Sequence, residues 1–276
     1  MALSFLHCAP MWRRLAWVVL GWGMGAAALA APACPQPLRV GFADLPMPPG
    51  LLGHGDTFAD PPGWEVLAVR DAARRLGCMA ELQRMPVRRL FASLEQGHVD
   101  FALLYGATPE RLQTLRFPLD ANGRPDAAWA PLLGHLALFA RAGMPPEPGW
   151  NGRKLSSHWR VGVLAGSAHE AVARERGWQV EPITAAGLGV SMLQAGRFDL
   201  LLAPRENLSE EERATLVEWS PLVGRPPYFM PASPAMAARD AAFTRAFWNE
   251  FCHAARRLQP DARPTECGVV PAAVIR

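Results

Sequence analysis

Two short stretches of this 276-residue chain place chemistry-bearing side chains where a helix should begin. In Tyr105-Gly106-Ala107-Thr108-Pro109-Glu110-Arg111, Thr108 suits an N-cap and Pro109 the first helical position, so Arg111 falls in the first turn. A cation there opposes the helix dipole and asks for a reason. A guanidinium fork beside helix-start amides suits a carboxylate or phosphate; a surface arginine paired with Glu110 or Asp120 would explain it as well. In Gly166-Ser167-Ala168-His169, Ser167 and Glu170 hold capping-box positions. That pattern either caps a helix and does nothing more or adds a second set of anion-facing amides.

Other candidates carry plainer alternatives. Asp44 could pair with a cationic group or serve as a turn residue. Trp64, at a helix start, could stack on a ligand or make a hydrophobic contact there, and Tyr105 could wall a pocket with its hydroxyl satisfied. Arg205 and Glu206 follow an apolar run; Arg205 suits an anion, Glu206 a cation, and a solvated charged loop suits both. Nucleophilic hydrolysis is poorly supported, because Ser167 lies in no GxSxG elbow and His169, two residues on in a helix, does not face it. Glu206 and Asp44 are the acid–base candidates if the chain is an enzyme.

The elements that must position these residues alternate strand and helix. Leu38–Phe42 reads as a strand, Trp64–Leu76 as a helix through Val66, Leu67, Val69, Ala73 and Leu76, and Met79–Met85 as a strand. Leu90, Phe91 and Leu94 mark a second helix, Gly97 its exit, and Phe101–Tyr105 a buried parallel strand that delivers Arg111 to its carboxyl end. The same order returns in Arg160–Leu164, Ser167–Arg176, Gln179–Ile183, Gly187–Gln194 and Leu200–Leu202. Leu94, Gly97 and Asp100 share their spacing with Leu193, Gly196 and Asp199, and each set precedes an apolar strand. The expected fold is therefore α/β in two lobes, each a mostly parallel sheet flanked by helices. Residues 31–137 with 229–276 form lobe 1, and residues 138–228 form lobe 2. Two crossings make a hinge, and a last helix, Ala238–Arg257, returns Phe243, Phe247 and Phe251 to the core of lobe 1.

Composition bounds the rest. Half the residues are hydrophobic and 19% charged, as in globular proteins with a large core. Arg13 and Arg14 precede an apolar run from Leu15 to Leu29, and Ala28-Leu29-Ala30 predicts signal-peptide cleavage after Ala30 and export to the periplasm. Without residues 1–30, which hold two arginines and no acids, 26 basic face 25 acidic residues, a balance that speaks against nucleic-acid binding. Cys34, Cys78, Cys252 and Cys267 remain, and three pairings are open to them. The placement of Cys34 before the first strand and Cys78 after the first helix favours Cys34 with Cys78 and Cys252 with Cys267. No CxxC or HExxH spacing points to a metal, and no cofactor is implied.

Gly97, Asp100, Thr108 and Arg111, read together, resemble the bacterial extracellular solute-binding proteins of family 3, the periplasmic receptors of amino-acid-type ABC importers. The resemblance runs from about Leu38 to Ala255. It implies a two-lobed periplasmic-binding-protein-like fold of type II, monomeric, that closes over a small solute and delivers it to a membrane ABC permease. It also implies that Arg111 holds the solute's carboxylate from its own lobe and that the Ser167 hydroxyl, with the backbone amides beside it, grips it from the other; Tyr105, Gly106, Thr108, Ala168 and His169 are the further ligand-binding candidates around them. One departure stands out: where these receptors offer an Asp to the ligand's ammonium, this chain has Pro204. Either Glu206 or Asp44 takes that role, or the solute is an anion met by Arg111 and Arg205. A soluble sensing domain and a dehydratase-like enzyme are the alternatives on the same architecture.

Overall fold

The computed structural model describes residues 34–185, 187–259 and 267–268. The signal segment expected at residues 1–30 lies outside them. Three strands, β1 (Leu38–Ala43), β2 (Ala80–Met85) and β3 (Phe101–Ala102), form a parallel sheet ordered β2-β1-β3, crossed by helices α1 (Trp64–Arg75) and α2 (Val87–Glu95). After α3 (Pro109–Thr114) and the two-residue β4 (Leu132–Leu133) the chain enters a second, five-stranded sheet. This contains β5 (Leu136–Arg141), β6 (Arg160–Leu164), β7 (Gln179–Ile183), β8 (Leu200–Pro204) and β9 (Leu216–Glu218), with α4 (Ala168–Glu175), α5 (Gly189–Gln194) and α6 (Glu210–Ala214) between them. Its order is β7-β6-β8-β5-β9; the β6 pairings are parallel and the β5 pairings antiparallel. The chain returns through β10 (Pro227–Tyr228), antiparallel to β4, and ends its described helices with α7 (Pro234–Arg239) and α8 (Ala241–Leu258). The sheets have separate hydrophobic cores, and the β4–β10 ribbon carries both crossings between them.

The spacing shared by Leu94-Gly97-Asp100 and Leu193-Gly196-Asp199 is a real structural repeat. Both leucines are fully buried, and both glycines take the left-handed conformation that ends the helix before them, with φ of +74° and +70°. Each aspartate then closes the start of the neighbouring parallel strand. Asp100 accepts the Arg39 backbone N–H at 2.8 Å and Asp199 that of Arg160 at 3.0 Å. The arginine side chains answer in parallel, donating to the carbonyls of His98 and Arg197. The identical tripeptides Arg39-Val40-Gly41 and Arg160-Val161-Gly162 complete the unit. A Cβ on Gly41 would lie 3.1 Å from the Val99 side chain and one on Gly162 2.3 Å from the Phe198 ring, so the residue before each aspartate packs over a bare strand position.

Several elements end or face differently from their sequence pattern. Leu67, expected in the core, is 38% exposed, because α1 turns Glu65, Ala68, Val69, Ala72 and Ala73 inward instead. The strand expected at Phe101–Tyr105 keeps its ladder to β1 only at Phe101 and Ala102; Tyr105 exchanges both backbone hydrogen bonds with Phe229 of the returning chain, at 2.8 and 3.0 Å. The last helix is two helices. Asp240 leaves helical geometry and caps α8 by accepting the Phe243 N–H at 2.8 Å, while Ser233 and Pro234 start α7. Phe243, Phe247 and Phe251 lie in one core with Val66, Val69 and Ala72 of α1, and the Phe247 ring centroid is 4.7 Å from that of Phe101. Each aromatic so buried contributes roughly 2–3 kcal/mol. The division expected between residues 137 and 138 falls inside β5, which pairs with β8 from Leu136 onward. Both disulfides connect the expected cysteines, Cys34 with Cys78 and Cys252 with Cys267.

Candidate ligand-binding site

Arg111 stands where its spacing put it. Thr108 caps α3 and its hydroxyl accepts the Arg111 N–H at 3.3 Å, with Pro109 in the first turn. The guanidinium packs over the rings of Phe91 and Tyr105, 4.6 and 5.3 Å from their centroids. One Nη donates to the Gly106 carbonyl at 2.9 Å; the other reaches across to the Gly166 carbonyl beside the second sheet, at 3.3 Å. Gly106 permits this approach, since a Cβ there would lie 2.7 Å from that of Ala168. Neither Glu110 nor Asp120 pairs with Arg111: Asp120 is taken by Arg124, and among the described residues no carboxylate reaches the guanidinium. Burial disfavours its charge without coming near to removing it. The result is a half-buried cation set on two aromatic faces and met only by carbonyls.

Opposite it, α4 begins at Ser167, whose hydroxyl accepts the Glu170 N–H at 3.2 Å. Glu170 reaches back one residue further than a regular capping box, taking the Gly166 N–H at 2.7 Å, and is itself held by Arg174. The amides of Ala168 and His169, the first two of α4, keep no acceptor among the described residues. His169 is 9% exposed and its Nε2 shares a 2.6 Å hydrogen bond with the Tyr228 hydroxyl. Burial first, and the Arg111 charge second, push the imidazole down to about 4, so it is neutral at pH 7. Burial holds the Tyr228 hydroxyl protonated as well.

The charged pair after β8 already has partners. Arg205 donates from Nε to Glu218 at 2.8 Å, so the arginine expected to meet an anion already has a carboxylate. Glu206 accepts the His135 backbone N–H at 3.1 Å and also contacts the His135 ring, whose other nitrogen lies 3.1 Å from Arg225. It ties together both crossings between the sheets. Pro204 ends β8 opposite Leu136 and carries no donor or charge.

On the first sheet's side, Asp44 is half-buried just past β1, with its N–H on the Met85 carbonyl at 3.0 Å and no ion pair among the described residues. Trp64 is 8% exposed and belongs to the hydrophobic core, the plainer of its two readings. The Tyr105 ring lies under Arg111, and its hydroxyl is buried and unpartnered rather than satisfied. Four neighbours escaped the sequence reading: Phe91 beneath Arg111, Tyr228 on His169, the buried carboxyl of Glu65, and Arg84. Arg84 donates to the carbonyls of Ala43, Leu52 and Thr57 and so fastens the loop between β1 and α1. For Glu65 the signal was present, since it stands three, four and seven residues before Ala68, Val69 and Ala72 on one helical face.

The backbone that carries these groups has the two-lobed periplasmic-binding-protein-like fold. It is similar to the ligand-binding core of GluR0 from Nostoc punctiforme, solved with L-glutamate, at a TM-score of 0.61 and 16% identity over 82% of this chain and 99% of that one. A histidine kinase sensor domain with similarity to periplasmic binding proteins superposes with a TM-score of 0.62 at 16% identity, over 84% of this chain and 98% of that one. An amino-acid ABC transporter substrate-binding protein from Streptococcus pneumoniae, bound to L-arginine, gives 0.56 at 17% identity over 81% and 88%. No protein-family model matches the chain, and no curated protein matches its sequence.

Proposed function

We propose that this protein is an extracytoplasmic receptor that closes its two lobes over a small carboxylated solute. The observation that carries the reading is Arg111, half-buried on two aromatic rings with no carboxylate partner among the described residues and facing the unpaired amides that begin α4. A solute carboxylate would take the place of the two carbonyls on the guanidinium and accept from the Ala168 and His169 amides. In the desolvated gap each of these contacts is stronger than in water. Gly106 and Thr108 shape the α3 side, Tyr105 the floor, and Ser167 holds the opposing helix start in register. Export by a signal peptide cleaved after Ala30, a monomeric state, and delivery of the solute to a membrane ABC permease complete the proposal. Proteins of this fold solved with L-glutamate and L-arginine support a solute of amino-acid size.

A second reading, a soluble sensing domain, is favoured by the histidine kinase sensor domain of the same fold. Both readings rest on the same residues and make the same first test. Small carboxylates and amino acids should raise the melting temperature of the wild-type chain, because a ligand that binds only the folded state stabilises it. Arg111→Ala should abolish that rise. A screen in which no carboxylate stabilises the wild type, or in which the variant responds equally, refutes the proposal.

A further inference from the structure

Glu65 is the one carboxyl of the first sheet's side that is both deeply buried and without a partner among the described residues. It is 4% exposed, in the first turn of α1, and its Oε2 has neither a hydrogen-bond partner nor solvent. The space beside it is kept by Gly50, where a Cβ would lie 2.5 Å from Oε1. The Tyr105 hydroxyl is a second buried orphan, and both residues lie past the carboxyl ends of paired parallel strands, Tyr105 after β3 and Glu65 in the first turn of the helix that follows β1. The Tyr105 ring lies under Arg111, the proposed carboxylate anchor. Unsatisfied buried groups are costly, and two together in one wall point to a missing donor. The other lobe offers that donor nothing: Pro204 is uncharged and Glu206 is engaged by His135.

We propose that Glu65 is the cation-receiving end of the solute site, so that the solute is a zwitterion whose amine is held by the first lobe. This rests on the receptor reading and deepens it. The remaining charged groups of this wall are Asp44 after β1, Arg84 on β2 and Arg111 on α3. None of them ion-pairs with Glu65; Arg84 is held by backbone carbonyls through Nε and Nη1, and its Nη2 is buried without a partner among the described residues. Burial keeps the Glu65 carboxyl protonated in the empty protein at pH 7. An arriving ammonium reverses that preference: the carboxyl ionises, its proton leaves to buffer, and capture of the solute is coupled to proton release.

The test uses the full chain stripped of ligand, with L-glutamate, L-glutamine, L-arginine and L-lysine as probes, and glutarate and 4-carbamoylbutanoate as counterparts lacking the α-amine. Calorimetry at pH 7 in phosphate and in Tris, which differ in ionisation heat, should give close to one proton released per amino acid bound and none per deaminated acid. Glu65→Gln should weaken the amino acids at least tenfold and the deaminated acids no more than threefold, with a melting curve showing the variant folded. Binding without proton release overturns the proposal, as does equal weakening of both sets or a loss that follows Asp44→Asn instead of Glu65→Gln. If binding depends on Arg111 but not on Glu65, the receptor reading stands and this inference falls. If no probe binds, both fall.

Discussion

Replacing Glu65 by Gln tests the burial argument on the empty protein, before any solute is known. Burial lifts this carboxyl from its ordinary 4.5 to about 8, and no hydrogen bond offsets the effect. The unfolded chain releases the proton near pH 4.5 while the folded chain keeps it to about pH 8. Within that interval the unfolded state binds fewer protons, so stability falls as pH rises, by ~1.4 kcal/mol per pH unit. By pH 7 the loss amounts to roughly 3 kcal/mol, a large fraction of what a domain possesses. His169 works in the opposite sense: depressed from 6.5 to about 4, it removes stability as pH falls through that range. The two slopes oppose each other below pH 6.5 and leave Glu65 alone above it. Urea unfolding of both proteins from pH 4 to 9 isolates the group, because His169 and every other titration cancel in the difference. The unfolding free energy of Glu65→Gln minus that of wild type should climb steadily from about pH 4.5 and level off past about pH 8. A flat difference, or one that falls with pH, means that Glu65 is ionised and paired in the fold, and the orphan-carboxyl argument is then wrong.

Other expectations follow from the same contacts. Arg111→Ala should erase solute-induced stabilisation yet leave the empty protein's melting temperature within a few degrees, since the side chain makes no ion pair among the described residues; a large drop would make Arg111 a structural residue. His169→Gln should remove the roughly 3 kcal/mol that wild type loses between pH 6.5 and 4 at this site, read as a shallower acid limb in a pH–stability profile. Asp100→Asn and Asp199→Asn each weaken a charge-assisted strand closure and should cost about 1.5–3 kcal/mol in urea melts, adding in the double variant because the sites lie in different sheets. Phe247→Ala should cost about 3–5 kcal/mol, measured the same way, because its ring fills the core between α8 and β3.

What could be read from the sequence was what local physics decides. Gly97 and Gly196 had to leave the helix in left-handed conformation, Thr108-Pro109 and Ser167 had to start helices, and the apolar runs at Leu38, Arg160 and Leu200 had to be buried strands. Those features alone give two α/β halves and deliver Arg111 and Ser167 to helix starts. The pieces that could not be read depend on partners distant in the chain. Nothing near Tyr105 says that its ladder passes to Phe229, 124 residues on, or that β9, built on Leu216–Glu218, supplies the carboxylate that occupies Arg205. Leu67 and Glu65 exchanged roles for the same reason. The small residues Ala68, Ala72 and Ala73 let α8 approach, and that packing turned the helix so that an acid, not a leucine, faced inward.

The candidate site shows the same division, and it bears on what the solute must be. The anionic end was legible because a helix start and an arginine are local signals. The departure at Pro204 from the receptors the sequence resembles was legible too, and it left Glu206, Asp44 and Arg205 as rival answers. The fold already engages two of them: Glu206 joins the crossings between the lobes through His135, and Arg205 joins β9 through Glu218. What is left among the described residues on this side is a wall in which Arg111 has no acid, while Glu65 has no base and the Tyr105 hydroxyl no partner at all. These groups do not relieve each other, since Arg111 meets the ring of Tyr105 and not its hydroxyl. A molecule carrying both charges would relieve them together, and closure of the lobes over it would then exclude the water that competes for each end.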